Sequence, residues 1–181
     1  MIPVLFDADA FRCARDLGIL DVFLSATAQR VRLYMTEYVA RHELSPDAKT
    51  VDALCARDLL SIEPVAGRSV QAFLRKSRDK KSGLHKGEAE AIVWAMSLDR
   101  NQRPLFISND LRARKGAEQH GVPAGDLMDF VVEATAAGVL ARHDLNRLVA
   151  AWDDKEQQQC RPRDWSGFDS TFARRQRQRE A

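Results

Sequence analysis

Acidic residues occur at three comparable places in this chain, each beside the predicted end of a strand or start of a helix. They are Asp7, Asp9, Glu88, Glu90 and Asp110. Carboxylates held close together raise one another's pKa, and a hard divalent cation that prefers oxygen ligands relieves their repulsion. Such a cation activates water and neutralises charge on a leaving oxygen, so the pattern indicates phosphodiester hydrolysis.

Each acid also has an ordinary structural interpretation. Asp9 and Asp110 precede predicted helices, where aspartate is a preferred N-cap. Glu88 and Glu90 fall in a first helical turn, where the helix dipole favours acids. Asp7 is harder to explain this way, because it ends a buried apolar run and an unpaired buried carboxylate is costly.

The histidines and cysteines favour oxygen ligands over a zinc site. The four histidines lack the spacing of metal ligands; they are His42, His85, His120 and His143. A metal site without histidine ligands is more typical of Mg²⁺ or Mn²⁺ than of Zn²⁺. Three cysteines, an odd number, lie far apart in the chain. We therefore expect neither a disulfide framework nor a zinc site, and a reducing cytoplasm as the location.

The acids are positioned by apolar runs that alternate with helical patterns. Residues 2–6, 33–35, 61–65 and 105–108 are predicted strands, and residues 10–24 are predicted to form one helix. Such alternation predicts a parallel sheet with helices on both faces. Ligand sites of these sheets lie at the carboxyl ends of the strands, where Asp7 and Asp110 are predicted to meet.

Length and composition predict one domain with a tail. The chain has 181 residues, of which 45% are hydrophobic, and its formal charge is +2. We predict a domain over residues 1–152 and a weakly ordered basic extension over residues 153–181. No apolar run resembles a signal peptide or a membrane span, which favours a soluble protein. In the tail, we predict that three arginines bind RNA: Arg174, Arg175 and Arg177. The alternative is that the tail only keeps the protein in solution.

Three segments resemble the PIN-domain family in order and spacing. VLFDADAF (4–11) resembles the family's first strand, GEAEAIVWA (87–95) its Gly-Glu-x-Glu-Ala segment, and LFISNDLRARKGAEQHGV (105–122) its last strand and following helix. The resemblance implies a three-layer α/β/α sandwich with a central, mainly parallel sheet of about four to five strands. It also implies an endoribonuclease dependent on Mg²⁺ or Mn²⁺, similar to the toxins of toxin–antitoxin pairs. Its partners would then be RNA, a cognate antitoxin and a second copy of the chain.

The resemblance also implies roles for individual residues. Asp7, Glu90 and Asp110 are expected to hold the metal. Glu43 is the expected second acid, although it lies one residue later than the family pattern, so Glu37 and His42 remain alternatives. The expected supporting residues are Asp9, Glu88, Ser108 and Asn109.

Two other functions compete with this one. FDADAF also resembles the first motif of haloacid dehalogenase-like phosphatases, in which Asp7 would be a nucleophile. The short interval between Ser108 and Gly125 argues against that fold. A catalytically inactive PIN-like module that binds RNA or protein is the other alternative, because the second acid departs from the pattern.

Overall fold

A five-stranded, all-parallel sheet forms the centre of the protein. The computed structural model describes residues 2–25, 30–79 and 83–180. The strand order is β3-β2-β1-β4-β5, so β1 lies in the middle and every connection is a crossover. The strands are β1 (Ile2–Phe6), β2 (Val31–Thr36), β3 (Leu60–Glu63), β4 (Leu105–Ile107) and β5 (Ala124–Gly125). The predicted parallel sheet is confirmed, and β5 is the strand that the apolar runs did not predict.

Helices cover both faces of the sheet. In the described part of the chain they are α1 (Ala8–Asp16), α2 (Ile19–Ser25), α3 (Ala48–Ala56), α4 (Gly67–Asp79), α5 (Lys86–Ser97), α6 (Leu111–Gln119), α7 (Leu127–Ala136), α8 (Arg142–Asp153) and α9 (Phe168–Glu180). None of these is long and apolar enough to cross a lipid bilayer. Helices α4 to α6 pack on the face that carries Leu5 and Phe106, and the other helices pack on the face of Val4 and Phe6. This is the predicted three-layer α/β/α sandwich.

The helix predicted over residues 10–24 is in fact two helices. Gly18 separates α1 from α2 and has a φ of 73°, a left-handed conformation that glycine adopts readily. The apolar pattern continues across the break because Leu17, Ile19 and Leu20 are all buried. Because the spacing of apolar residues continues through the turn at Gly18, the sequence pattern predicted one helix instead of two.

The C-terminal segment is folded against the rest of the protein. A 3-10 turn spans Lys155–Cys160, and α9 packs against α7 and α8. Trp152 is fully buried and contacts the rings of Trp165 and Phe168, with centroids 5.9 and 5.7 Å away. The expectation from composition that this segment is weakly ordered is therefore corrected. Aromatic residues among the arginines give the segment an apolar face that packs against the domain.

A disulfide joins α1 to the 3-10 turn. It links Cys13 with Cys160, whose Cα atoms lie 5.4 Å apart although 147 residues separate them in sequence. Cys55 is the free cysteine. The expectation of no disulfide was wrong, because an odd number of distant cysteines does not reveal which two the fold brings together.

Candidate active site

An open pocket of about 290 Å³ lies beside the carboxyl end of β1. Its walls come from three separate segments: the β1–α1 junction, the turn after β2, and the start of α5. The lining residues are Asp7, Ala8, Asp9, Arg12, Glu43, His85 and Glu88. The parallel topology creates this arrangement, because β1 and β2 are neighbours and end at the same edge of the sheet.

Asp7 is the buried acid of the pocket, with 7% of its surface exposed. Its carboxylate caps α1 by accepting a 2.7 Å hydrogen bond from the backbone N–H of Ala10. The pKa of Asp7 is raised to about 7, mainly by burial and in smaller part by the charges of Asp9 and Glu88. Hydrogen bonds from Ser108 and Ala10 oppose that rise. Asp7 is therefore a carboxyl group that gains from a nearby cation.

Glu43 reaches the pocket through a π-helical turn. The turn spans Val39–Glu43, and the N–H of Leu44 donates to the carbonyl of Val39 at 2.9 Å. A π-turn accommodates one residue more than an α-helical turn. One extra residue is also the displacement by which Glu43 departs from the pattern of the family that the sequence resembles. Of the residues considered for the second acid, Glu43 lines the pocket, whereas Glu37 forms an ion pair with Arg41.

A glycine makes room for the Glu43 carboxylate. A Cβ atom at Gly87 would lie only 2.6 Å from Oε1 of Glu43. Glu43 is half-buried, and its pKa is raised by burial first and then by the charges of Asp9 and Glu88. The glycine of the GEAEA segment thus leaves space for the Glu43 carboxylate in its present position beside the start of α5.

The two glutamates of α5 point to different places. Glu88 lines the pocket, and its Oε2 accepts a 2.8 Å hydrogen bond from the N–H of His85. Burial raises the pKa of Glu88, and the charges of Asp110 and Asp9 contribute. Glu90 is buried, and its Oε2 accepts a 3.0 Å hydrogen bond from the N–H of Tyr38. The structure thus brings Glu88 to the pocket, whereas the sequence favoured Glu90.

Asp110 lies near the pocket without lining it. Its exposed carboxylate caps α6 by accepting a 2.7 Å hydrogen bond from the N–H of Arg112. Its charge still reaches Glu88 and raises the pKa of that residue. The buried Ser108 hydroxyl accepts from the N–H of Asp110 at 3.1 Å and hydrogen-bonds Asp7. Asn109 has a buried side-chain nitrogen without a hydrogen-bond partner among the described residues.

Arg12 is a pocket residue that the sequence did not single out. Its guanidinium pairs with Asp9 at 3.0 Å, contacts the carbonyl oxygen of Glu43, and lies 3.5 Å from the buried carboxylate of Asp47. It therefore ties α1 to the turn that carries Glu43. Its three-residue spacing from Asp9 on one helix was the available signal. His85, which also lines the pocket, gave no comparable signal.

The donor chemistry of the pocket suits a hard cation. Four of its seven lining residues are Asp or Glu, one is histidine and none is cysteine. The pKa values of Asp7, Glu43 and Glu88 are all raised in part by neighbouring carboxylates. Within the described ranges, however, no three His, Cys, Asp or Glu side chains are grouped so as to hold a metal ion as they stand.

The arginines predicted to bind RNA lie on α9. Arg175 pairs with Asp126 and Asp164, both at 2.9 Å, and Arg174 pairs with Asp164 at 2.7 Å. Arg177 is exposed. Arg174 and Arg175 therefore have acidic partners within the protein, and the pair of Arg175 with Asp126 connects α9 to the start of α7.

Comparison with known proteins identifies a family. A family model described as a PIN domain matches residues 25–161, well over half of the chain. The match runs from the end of α2 through the 3-10 turn, so β1 and Asp7 precede it. Among curated proteins, none matches this sequence.

Proposed function

The chain belongs to the PIN-domain family, and from this premise we propose that it is a metal-dependent endoribonuclease. One observation carries the proposal: Asp7, Glu43 and Glu88 come from three distant segments and line one pocket. Convergence of three acids is costly unless something offsets their repulsion. The pKa values of all three residues are raised, by burial first and then by neighbouring carboxylates.

Asp7, Glu43 and Glu88 would hold Mg²⁺ or Mn²⁺, with Asp110 close by. A metal bound there supplies an activated water and neutralises charge on the phosphate. Asp7 is fixed by its hydrogen bonds from Ala10 and Ser108, so it would serve as the rigid ligand. Glu43 and Glu88 would close on the ion by side-chain rotation, because the described carboxylates do not yet form a metal-holding group.

Arg12 would organise the pocket rather than bind the metal. It connects Asp9 with the backbone of Glu43, so it holds the turn after β2 against α1. Its positive charge also lowers the pKa of Glu43. That charge opposes the rise that burial and the neighbouring carboxylates cause in the pKa of Glu43, and so favours the ionised form that a cation needs.

The matched pair Glu88→Gln and Glu90→Gln tests the proposal. Cleavage of a labelled single-stranded RNA is measured with Mg²⁺ or Mn²⁺, beside thermal melts with and without metal. Glu88→Gln should lose cleavage by about a hundredfold or more and lose the metal-induced rise in Tm. Glu90→Gln should keep both, because an amide oxygen can still accept from Tyr38.

Two results would contradict the proposal. One is loss of cleavage in Glu90→Gln but not in Glu88→Gln, which would place the metal elsewhere. The other is a wild-type protein that neither cleaves RNA nor responds to either metal. Turnover of a simple phosphomonoester, abolished by Asp7→Asn, would favour the phosphatase instead.

A catalytically inactive PIN-like module that binds RNA or protein is the second candidate. The observation that favours it is the lack of a ready metal-holding group among the described side chains. We also propose, from the family resemblance, that the chain acts as the toxin of a toxin–antitoxin pair and forms a homodimer. A cytoplasmic location stays a prediction, and the Cys13–Cys160 disulfide is more typical of oxidising compartments.

A further inference from the structure

Tyr38 is held beside the acidic pocket by the glutamate that does not enter it. Its backbone N–H donates to Oε2 of buried Glu90 at 3.0 Å, so the first residues after β2 are anchored to α5. A hydrogen bond to a buried carboxylate is charge-assisted and stronger than a neutral one. The Tyr38 ring is therefore carried on a backbone with little freedom to move.

The Tyr38 ring is the centre of a stack of three side chains. The His42 ring lies 4.9 Å from it, centroid to centroid, with 33° between the planes. The ammonium of Lys86 lies 3.9 Å from the Tyr38 centroid, within cation–π distance. His42 and Lys86 are exposed, whereas Tyr38 is half-buried. The stack thus presents an aromatic ring and a positive charge to solvent.

This stack borders the acidic pocket through two of its members. His42 directly precedes Glu43, and Lys86 directly follows His85, so each is the chain neighbour of a lining residue. A polyanion that approaches four carboxylates needs positive charge and favourable contacts at the rim. The rim of this pocket carries both.

We propose that Tyr38, His42 and Lys86 form a nucleotide subsite of the proposed nuclease. One base of a single-stranded RNA stacks on the exposed ring of His42 and extends the stack that Tyr38 begins. Lys86 contacts the adjoining phosphate, which lies next to the pocket. The inference rests on the proposed function, because the subsite serves the RNA that the pocket would cleave.

Stacking of a base on an aromatic side chain is tolerant of sequence, because every base has a π-face. The subsite therefore selects for an unstacked base rather than for a particular one. A duplex, whose bases are stacked inside, cannot offer a base to His42 without local opening. The subsite formed by Tyr38, His42 and Lys86 therefore prefers single-stranded segments of RNA.

The test measures binding of a short, labelled oligoadenylate RNA by fluorescence anisotropy in EDTA, where the proposed metal-dependent cleavage does not proceed. His42→Ala should weaken binding by about tenfold, whereas His42→Phe, which keeps a ring, should bind nearly as wild type. His143→Ala is the matched control, because it removes an exposed histidine from α8. Lys86→Ala should lower the salt slope of log K by about 0.7, the value for one phosphate contact.

An oligomer of the same length made of abasic nucleotides separates stacking from charge. Wild type and His42→Ala should bind it equally, because it has no base to stack. The inference is overturned if wild type does not bind oligoadenylate, if His42→Ala binds it as wild type does, or if His42→Phe is as weak as His42→Ala. An equal loss on the abasic chain would overturn it as well.

The binding assay needs neither metal nor turnover, so it fails separately from the proposed function. Binding that depends on the His42 ring, without any RNA cleavage in Mg²⁺ or Mn²⁺, would support the subsite and contradict the nuclease function. Cleavage that depends on Glu88, together with RNA binding that is unchanged in His42→Ala, would support the nuclease function and contradict the subsite. Thermal melts of each variant confirm that the exposed substitutions leave the fold intact.

Discussion

Asp7 is a buried acid whose charge is costly in the folded protein, so neutralising it gives a large and signed prediction. Its pKa rises from 3.8 to about 7 on folding, mainly because the carboxyl group is buried. Asp7→Asn keeps the shape of the side chain and removes its charge. Asparagine is also a good N-cap, so the hydrogen bond from the N–H of Ala10 should survive.

The sign follows from proton binding. Because the pKa of Asp7 is higher in the folded state, the folded protein holds this proton more tightly than the unfolded chain does. The free energy of unfolding should therefore fall as pH rises from about 4 to about 7, and then level off. One pKa unit corresponds to about 1.36 kcal/mol, so the penalty approaches about 4 kcal/mol at pH 8 and is about half of that at pH 5.5.

The assay is urea unfolding of wild type and Asp7→Asn in EDTA at pH 5.5 and pH 8. The variant lacks the penalty, so its stability relative to wild type should improve by about 2 kcal/mol between the two pH values. Comparing two pH values cancels any constant effect of the substitution on packing. Asp21→Asn, at an exposed position of α2, is the control and should show no such change.

Parallel pH profiles for wild type and Asp7→Asn would refute this reasoning. They would mean that Asp7 ionises in the folded protein as readily as in the unfolded chain. A variant that loses stability equally at both pH values would show that the hydrogen-bonding role of Asp7 outweighs its charge. In either case burial would not be the dominant influence on this group.

Two further substitutions test the contacts that hold the site and the C-terminal helix. Gly87→Ala should displace the Glu43 carboxylate, which a Cβ atom would approach to 2.6 Å, and lower cleavage on the order of a hundredfold in a kinetic assay. Gly67→Ala, which meets nothing within 4 Å, should leave cleavage unchanged, and equal activity of the two variants would contradict the argument. Arg175→Met should cost about 3 kcal/mol in urea unfolding, because it leaves buried Asp126 without its ion-pair partner. Arg177→Met, on the exposed side of α9, should cost little, and equal losses would show that Arg175 does not brace α7.

The parallel sheet and the position of Asp7 were predictable because both are local in sequence. An apolar run of five residues that ends in an acid defines β1 and places Asp7 at its carboxyl end. Alternation of such runs with helical patterns implies crossovers, and crossovers imply parallel pairing. The two-residue strand β5 was missed because so short a segment has no periodicity to read.

The choice between Glu88 and Glu90 needed the tertiary structure. Both residues suit the first turns of α5, and helical geometry separates them by about 200°, so only one can face a given neighbour. Which one faces the pocket depends on how α5 is rotated against β1 and β2, and packing of the alanine-rich face fixes that rotation. The sequence carries no direct record of this angle.

The other features that the sequence did not predict are contacts between residues that are distant in the chain. The sequence by itself determined four of the five strands, the parallel sheet and the set of candidate acids, since these follow from local pattern. The fold alone determined that a π-turn brings Glu43 to Gly87, that Cys13 pairs with Cys160, and that α9 packs on α7. Each of these contacts depends on how complete elements pack together, and packing is a property of the whole core rather than of any single segment.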